Sequence, residues 1–213
     1  EDSEGDLWYG TNNGISLQKS KTGKWHSYLS TFENVQNSKN HIFTTLCEVS
    51  PGIIWAGGYF SGIYQIDKRT SKTTYFTPAL YAREDIRPDK YIRDIRKDSH
   101  GYIWTGGYYN LKRINVQTKD IRLYHGLHSV TAIIEKDDKS MWIGTATGLH
   151  LLDKESGKFE RIQLPVESTY IYSLYQTKKG SLYIGTSGSG VLIYDPQTKL
   201  FTHYYTGNCA MIS

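Results

Sequence analysis

Cysteine is nearly absent: Cys47 and Cys209 are the only two in 213 residues. That excludes a disulfide-stapled scaffold and a four-cysteine zinc site. Proline is scarce at five, and 20 glycines are an ordinary share, so the chain is neither collagen-like nor low-complexity. No charge of one sign dominates. Lys and Arg number 25 against 21 Asp and Glu, a net charge of +4 and a pI near 8.8, too mild to imply a nucleic-acid partner. No run of about 18 apolar residues occurs, so no segment reads as a membrane span, and a mean hydropathy of −0.52 suits a soluble domain. No signal peptide opens the chain, which starts Glu1-Asp2-Ser3-Glu4-Gly5. The expectation is a cytoplasmic protein or one whose leader has been removed. What is abundant is aromatic: 18 Tyr and five Trp, beside only two Met. Together with Thr, Ile and Gly this favours strands and turns over helices.

The sequence repeats. Gly5-Asp-Leu-Trp8-Tyr-Gly10-Thr11 aligns with Gly52-Ile-Ile-Trp55-Ala-Gly57-Gly58, with Gly101-Tyr-Ile-Trp104-Thr-Gly106-Gly107, with Ser140-Met-Trp142-Ile-Gly144-Thr145 and with Gly180-Ser-Leu-Tyr183-Ile-Gly185-Thr186. The anchors Trp8, Trp55, Trp104, Trp142 and Tyr183 are 47, 49, 38 and 41 residues apart. A glycine follows each anchor by two residues. Six or seven residues after the anchor comes Gly14, Gly62, Asn110, Gly148 or Gly190, each followed by an apolar residue.

Each unit reads as four strands. A first strand is predicted over 42–49, 91–97, 130–136 and 171–177, and a polar turn then leads into the anchor strand. A third strand starts after the second glycine. A turn such as Asp67–Lys72, Asp153–Gly157 or Asp195–Lys199 leads to an aromatic fourth strand over 25–28, 74–76, 121–124, 159–162 or 201–205. No segment sustains a 3.6-residue period. Four-stranded units of about 40–45 residues in series predict an all-β fold, a β-propeller of about five blades. The blades are placed at 1–29, 41–77, 91–125, 130–164 and 170–206, in a single propeller segment over 1–213, with 208–213 starting a further inner strand. The anchors and glycines are assigned to packing between blades, because both faces of a blade are expected to be covered. The preferred reading is a segment of a larger propeller. The alternative is a five-blade ring closed by Ala210–Ser213 pairing beside the Trp8 strand.

Asp2-Ser-Glu-Gly-Asp-Leu-Trp8-Tyr-Gly-Thr11, with Gly14-Ile15 and the strand ending at Tyr28, resembles the two-component regulator propeller repeat. Met141-Trp142-Ile-Gly144-Thr145-Ala-Thr-Gly148-Leu149 is nearly its ideal form. Gly57-Gly58 and Gly106-Gly107 depart from the Gly-Thr that the repeat prefers. The resemblance implies the periplasmic sensor region of a bacterial hybrid two-component system, non-catalytic in this segment, with a histidine kinase in the parent protein. It also implies an oligosaccharide as ligand.

Strand direction places the loop leading into each first strand, and the loop between strands two and three, on one face. That face gathers Tyr59, Phe60, Arg83, Arg87, Tyr91, Tyr108 and Tyr109 over blades two and three. Aromatic rings stack on sugar faces, and an arginine fork reads carboxylate or sulfate. These seven residues are the candidate ligand site. His125-Gly-Leu-His128 lacks a third ligand nearby, and Glu84, Asp85 and Asp89 read as local ion pairs with Arg83 and Arg87. No P-loop, dinucleotide fingerprint or Gly-x-Ser-x-Gly elbow occurs, so no catalytic residue, metal or cofactor is expected. The expected partners are the oligosaccharide and either the remaining blades or a second copy in a homodimer, without nucleic acid or membrane contact. Two other functions stay open. One is a propeller lyase resembling virginiamycin B lyase, whose Gly-x-x-Trp-x-Thr pattern Trp104-Thr105 echoes. The other is a protein-interaction scaffold.

Overall fold

In the computed structural model of the chain the described residues are 1–29, 42–59, 61–76, 91–167 and 169–205. They fall into two compact units, Glu1–His125 and Gly126–Ser213. Every regular element among them is a strand.

The first unit holds three antiparallel sheets. The first has three strands, β1 (Leu7–Thr11), β2 (Gly14–Gln18) and β3 (Trp25–Tyr28). The second is β4 (Ile42–Ser50), β5 (Ile53–Tyr59), β6 (Gly62–Asp67) and β7 (Lys72–Tyr75). The third is β8 (Ile92–Lys97), β9 (Ile103–Gly107), β10 (Leu111–Ile114) and β11 (Ile121–Tyr124). The second unit holds β12 (Val130–Glu135), β13 (Ser140–Thr145), β14 (Gly148–Asp153) and β15 (Phe159–Ile162), then β16 (Ile171–Gln176), β17 (Leu182–Thr186), β18 (Val191–Asp195) and β19 (Leu200–Tyr204). Strand order follows chain order in every sheet, which is the up-and-down order of a propeller blade. Among the described residues the sheet around Trp8 has three strands and no innermost strand. Ala210–Ser213, the proposed closing strand, lies outside the described residues.

The repeat positions have distinct physical duties. Trp55 and Trp104 are fully buried and Trp142 nearly so. In three of the repeats the glycine two residues on admits the next blade's inner strand. A Cβ on Gly57 would stand 2.5 Å from Ile92 Cγ2, one on Gly144 2.7 Å from Ile171 Cγ2, and one on Gly10 2.4 Å from the Phe43 carbonyl oxygen. The cores follow from this interlock. Trp55, Ile63 and Val49 pack with Ile92, Ile95, Ile103 and Ile114 between the second and third sheets, and Trp142 packs with Ile171, Leu182, Ile184 and Leu192 between the fourth and fifth.

The turns are stitched by side chains. Asp98 Oδ1 accepts from the backbone N–H groups of His100 and Tyr102, while Oδ2 accepts from Trp104 Nε1 at 2.8 Å. Asp2 repeats the arrangement with Glu4, Asp6 and Trp8 Nε1, also at 2.8 Å. The Trp55 indole donates instead to Gln65 Oε1. Between strands three and four, Asp67, Asn115, Asp153 and Asp195 each accept backbone N–H bonds from residues two or three positions on. The fifth residue of these turns is left-handed in Ser71, Lys119, Gly157 and Lys199.

The expectation that both faces of every blade are covered needs correcting at two sheets. Leu7, Tyr9 and Trp25 are exposed on one face of the first sheet, and Tyr175, Tyr183, Leu200 and Tyr204 on one face of the fifth. Tyr183, an anchor by position, is 39% exposed. Each of these sheets is packed on its other face, so its anchor aromatic or its neighbours lack a covering blade among the described residues.

Candidate functional site

Tyr59 ends β5, Tyr91 precedes β8, and Tyr108 and Tyr109 follow β9, so all four lie at one end of the second and third sheets. Their rings form a connected series. Tyr59 and Tyr91 meet edge to face with centroids 6.4 Å apart, Tyr91 and Tyr108 lie at 6.2 Å, and Tyr108 and Tyr109 meet edge to face at 5.0 Å. Tyr108 and Tyr109 are about half exposed, and Tyr59 and Tyr91 are half-buried. Of the seven sequence candidates the structure thus brings these four together. Phe60, Arg83 and Arg87 lie outside the described residues, as do Glu84, Asp85 and Asp89.

Arg93 was not among the candidates. Its guanidinium sits over the Tyr59 ring, 5.5 Å from the centroid. A β-bulge puts it there. In β8 the register passes from Ile92 opposite Gly107 to Asp94 opposite Gly106, so Arg93 is the extra residue. The same shift occurs in β4 at Thr44, in β12 at Thr131 and in β16 at Tyr172. Bulges re-aim a side chain at a sheet end. Only comparison of the inner strands position by position signals this in sequence, because Arg93 otherwise reads as one polar residue in an alternating strand.

A second feature marks the same two blades. In the first, fourth and fifth sheets a threonine hydroxyl closes the hairpin: Thr11, Thr145 and Thr186 donate to the carbonyls of Gly14, Gly148 and Gly190. In the second and third sheets that threonine is Gly58 or Gly107, and the hairpin carries Tyr59-Phe60 or Tyr108-Tyr109. A Cβ on Gly58 would come within 1.7 Å of the Ile42 carbonyl oxygen, so β4 closes against the strand where the threonine would stand. The structural clamp is absent where the aromatic pairs are present.

The ion pairs around Lys68 serve the fold. Lys68, buried, contacts Asp2 at 2.6 Å, Asp6 at 2.7 Å and Glu4 at 2.8 Å. Burial works against its ammonium, yet the three carboxylates raise its pKa well above the usual lysine value. The bond from Lys68 is the foremost cause holding the Asp6 carboxyl far below the carboxylate range, aided by Lys19 and the Ser20 N–H. Burial pushes Asp2 upward, but bonds from Lys68, Trp8 and two backbone N–H groups outweigh it and lower the group. His150 on β14 is buried with no hydrogen bond to Nδ1, and burial drives its pKa down.

Residues 165–188 match the two component regulator propeller family, so the repeat that the sequence resembles is present in the chain. A comparison with curated proteins finds no match. Among solved structures, the extracellular domain of a protein described as a hybrid two component system from B. thetaiotaomicron superposes with a TM-score of 0.79 at 17% identity. That match covers 95% of this chain but 28% of the domain, so the chain spans little more than a quarter of that relative. Virginiamycin B lyase from Staphylococcus aureus superposes at 0.74 with 15% identity, covering 95% of this chain and 67% of the lyase. PorZ, a surface component of the type-IX secretion system of Porphyromonas gingivalis, superposes at 0.72 with 15% identity, covering all of this chain and 34% of PorZ. The fold is therefore the β-propeller, and it is one that receptor, enzyme and secretion components share.

Proposed function

We propose that this chain is part of the extracytoplasmic, ligand-sensing propeller of a bacterial two-component receptor, periplasmic in location. In this reading the end bearing Tyr59, Tyr91, Tyr108 and Tyr109 binds an oligosaccharide without turning it over. The observation that carries the proposal is the connected series of four tyrosine rings with Arg93 over Tyr59. Tyrosines stack on the apolar faces of sugar rings and donate hydroxyls to their rims, and a guanidinium pairs with an acidic substituent. Two half-exposed rings at a sheet end give few buried contacts, which suits modest affinity and release on signalling.

The repeat at 165–188 and the likeness to receptor extracellular domains support the receptor reading over the lyase, although the lyase fold is nearly as similar. A parent protein with a histidine kinase, and further blades or a second copy beside the exposed sheet faces, belong to the same proposal. The test is an array of neutral and acidic oligosaccharides probed with this chain, with a streptogramin lyase assay run in parallel. Retention of an oligosaccharide without linearisation of the streptogramin is expected. Streptogramin cleavage, or an array with no retained glycan, would overturn the reading.

A further inference from the structure

At the opposite end of the second and third sheets lies a cleft of about 370 Å³. Its floor is apolar: Val49 is buried, and Val116 packs against the core between the two sheets. Lys97, Tyr102, Asn115 and Gln117 also line it. Lys97 is exposed and forms no ion pair among the described residues. Tyr102 is held by the Arg113 guanidinium, 4.5 Å from its ring centroid, and by its backbone bonds to Asp98.

Asn115 is the informative residue. It occupies the turn position that is aspartate in the other four-stranded blades, at Asp67, Asp153 and Asp195. The turn uses only the side-chain oxygen: Asn115 Oδ1 accepts from Gln117 N at 2.9 Å and Thr118 N at 3.2 Å, as Asp67 Oδ1 does from Arg69 and Thr70. A carboxylate would serve the fold equally. The amide removes a negative charge from the cleft wall and offers an N–H₂ donor in a cleft that Lys97 also lines.

We propose that this cleft is a second ligand site, for a small monocarboxylate of monosaccharide size, with Lys97 and the Asn115 amide taking the carboxylate and Tyr102 with the two valines taking the body. A charge-assisted bond from an ammonium and a fixed amide donor favour an anion over its neutral analogue. The volume lies in the lower range of small-molecule sites. The site is separate from the tyrosine cluster and does not depend on it.

The test is calorimetric titration of this chain with sodium D-glucuronate and, separately, with D-glucose. Glucuronate should bind with millimolar affinity, at least tenfold tighter than glucose. Asn115→Asp restores the residue of the sister blades, so it should keep the fold and weaken glucuronate binding at least tenfold. Lys97→Met should do likewise and leave glucose unchanged. Tyr59→Ala with Tyr108→Ala should bind glucuronate as the parent does. Equal affinity for glucuronate and glucose, an unchanged constant in a folded Asn115→Asp protein, or loss of binding in the tyrosine variant would each overturn the proposal.

Discussion

Replacing Gly57 with alanine tests how adjacent blades interlock. The added Cβ would stand 2.5 Å from Ile92 Cγ2, 2.8 Å from Ile92 Cβ and 3.0 Å from Ile95 Cδ1. Carbon atoms rest comfortably at about 3.5–4.0 Å, so β8 must retreat by roughly 1 Å or Ile92 must leave its rotamer. Ile92 and Ile95 are almost fully buried among Trp55, Ile103 and Ile114, so neither has free space to enter. Overpacking of this kind costs about 1–3 kcal/mol. Alanine also restricts the unfolded chain, which returns about 0.4–1 kcal/mol, since Gly57 is not in the left-handed region. The net loss should be about 1–2 kcal/mol, or ~2–8 °C in Tm for a chain of this size. Ile92→Ala alone should cost about 2–5 kcal/mol by opening a cavity. In the double variant the new methyl occupies part of that cavity, so the two losses should sum to more than the combined effect by at least ~0.5 kcal/mol. Urea melts of the four proteins, followed through the buried tryptophans, measure this cycle. A Gly57→Ala protein as stable as the parent, or strictly additive losses, would refute the close-approach role.

Asp98→Ala should cost about 2–4 kcal/mol in the same melts, because it orphans the Trp104 indole N–H and two turn N–H groups. Asp98→Asn, which keeps an acceptor, should cost less, and equal losses would deny the acceptor's importance. Trp104→Ala should cost about 3–5 kcal/mol, and Tyr183→Ala clearly less because that anchor is 39% exposed. Similar losses at both would contradict the burial difference. The Lys68 cluster sets an acid limit. Asp2 and Asp6 have folded pKa values below their ordinary 3.8, so their stabilisation is present above pH 3.8 and lost as pH falls through the folded values. Lys68→Met should lower stability at neutral pH and flatten its decline below pH 4, and a stability–pH curve unchanged by that substitution would refute the linkage.

The periodic parts of this molecule are readable in one dimension. Anchor, glycine and turn recur in the chain, and the strands fall within one or two residues of their expected bounds: 121–124 and 159–162 coincide with β11 and β15. The long-range partners are not readable in this way. Lys68 reaches Asp2 across 66 residues, and nothing in Asp67-Lys68-Arg69 distinguishes it from a solvated turn lysine. Arg93 reaches Tyr59 only because a bulge breaks the alternation, which the residue types alone do not display. The Asp98–Trp104 bond shows in the sequence only as a six-residue spacing that recurs at Asp2 and Trp8. Tyr59, Tyr108 and Tyr109 were legible as site candidates because hairpin position and strand direction fix the face on which they emerge. Coverage of the outer sheets was not legible, since alternation in a strand cannot say whether a neighbour exists.

Calorimetry with the oligosaccharide retained on the array addresses the central claim most directly, comparing the parent chain with Tyr59→Ala combined with Tyr108→Ala. Both residues lie at strand ends outside the buried core clusters, so the variant should melt with the parent to within about 1 kcal/mol. The ring series supplies the stacking surface, so affinity should fall at least tenfold, and the parent's affinity should weaken with added salt if the ligand is acidic, through Arg93. A folded double variant that binds the same oligosaccharide with the parent's affinity would contradict the assignment of this end of the propeller as the sensing site.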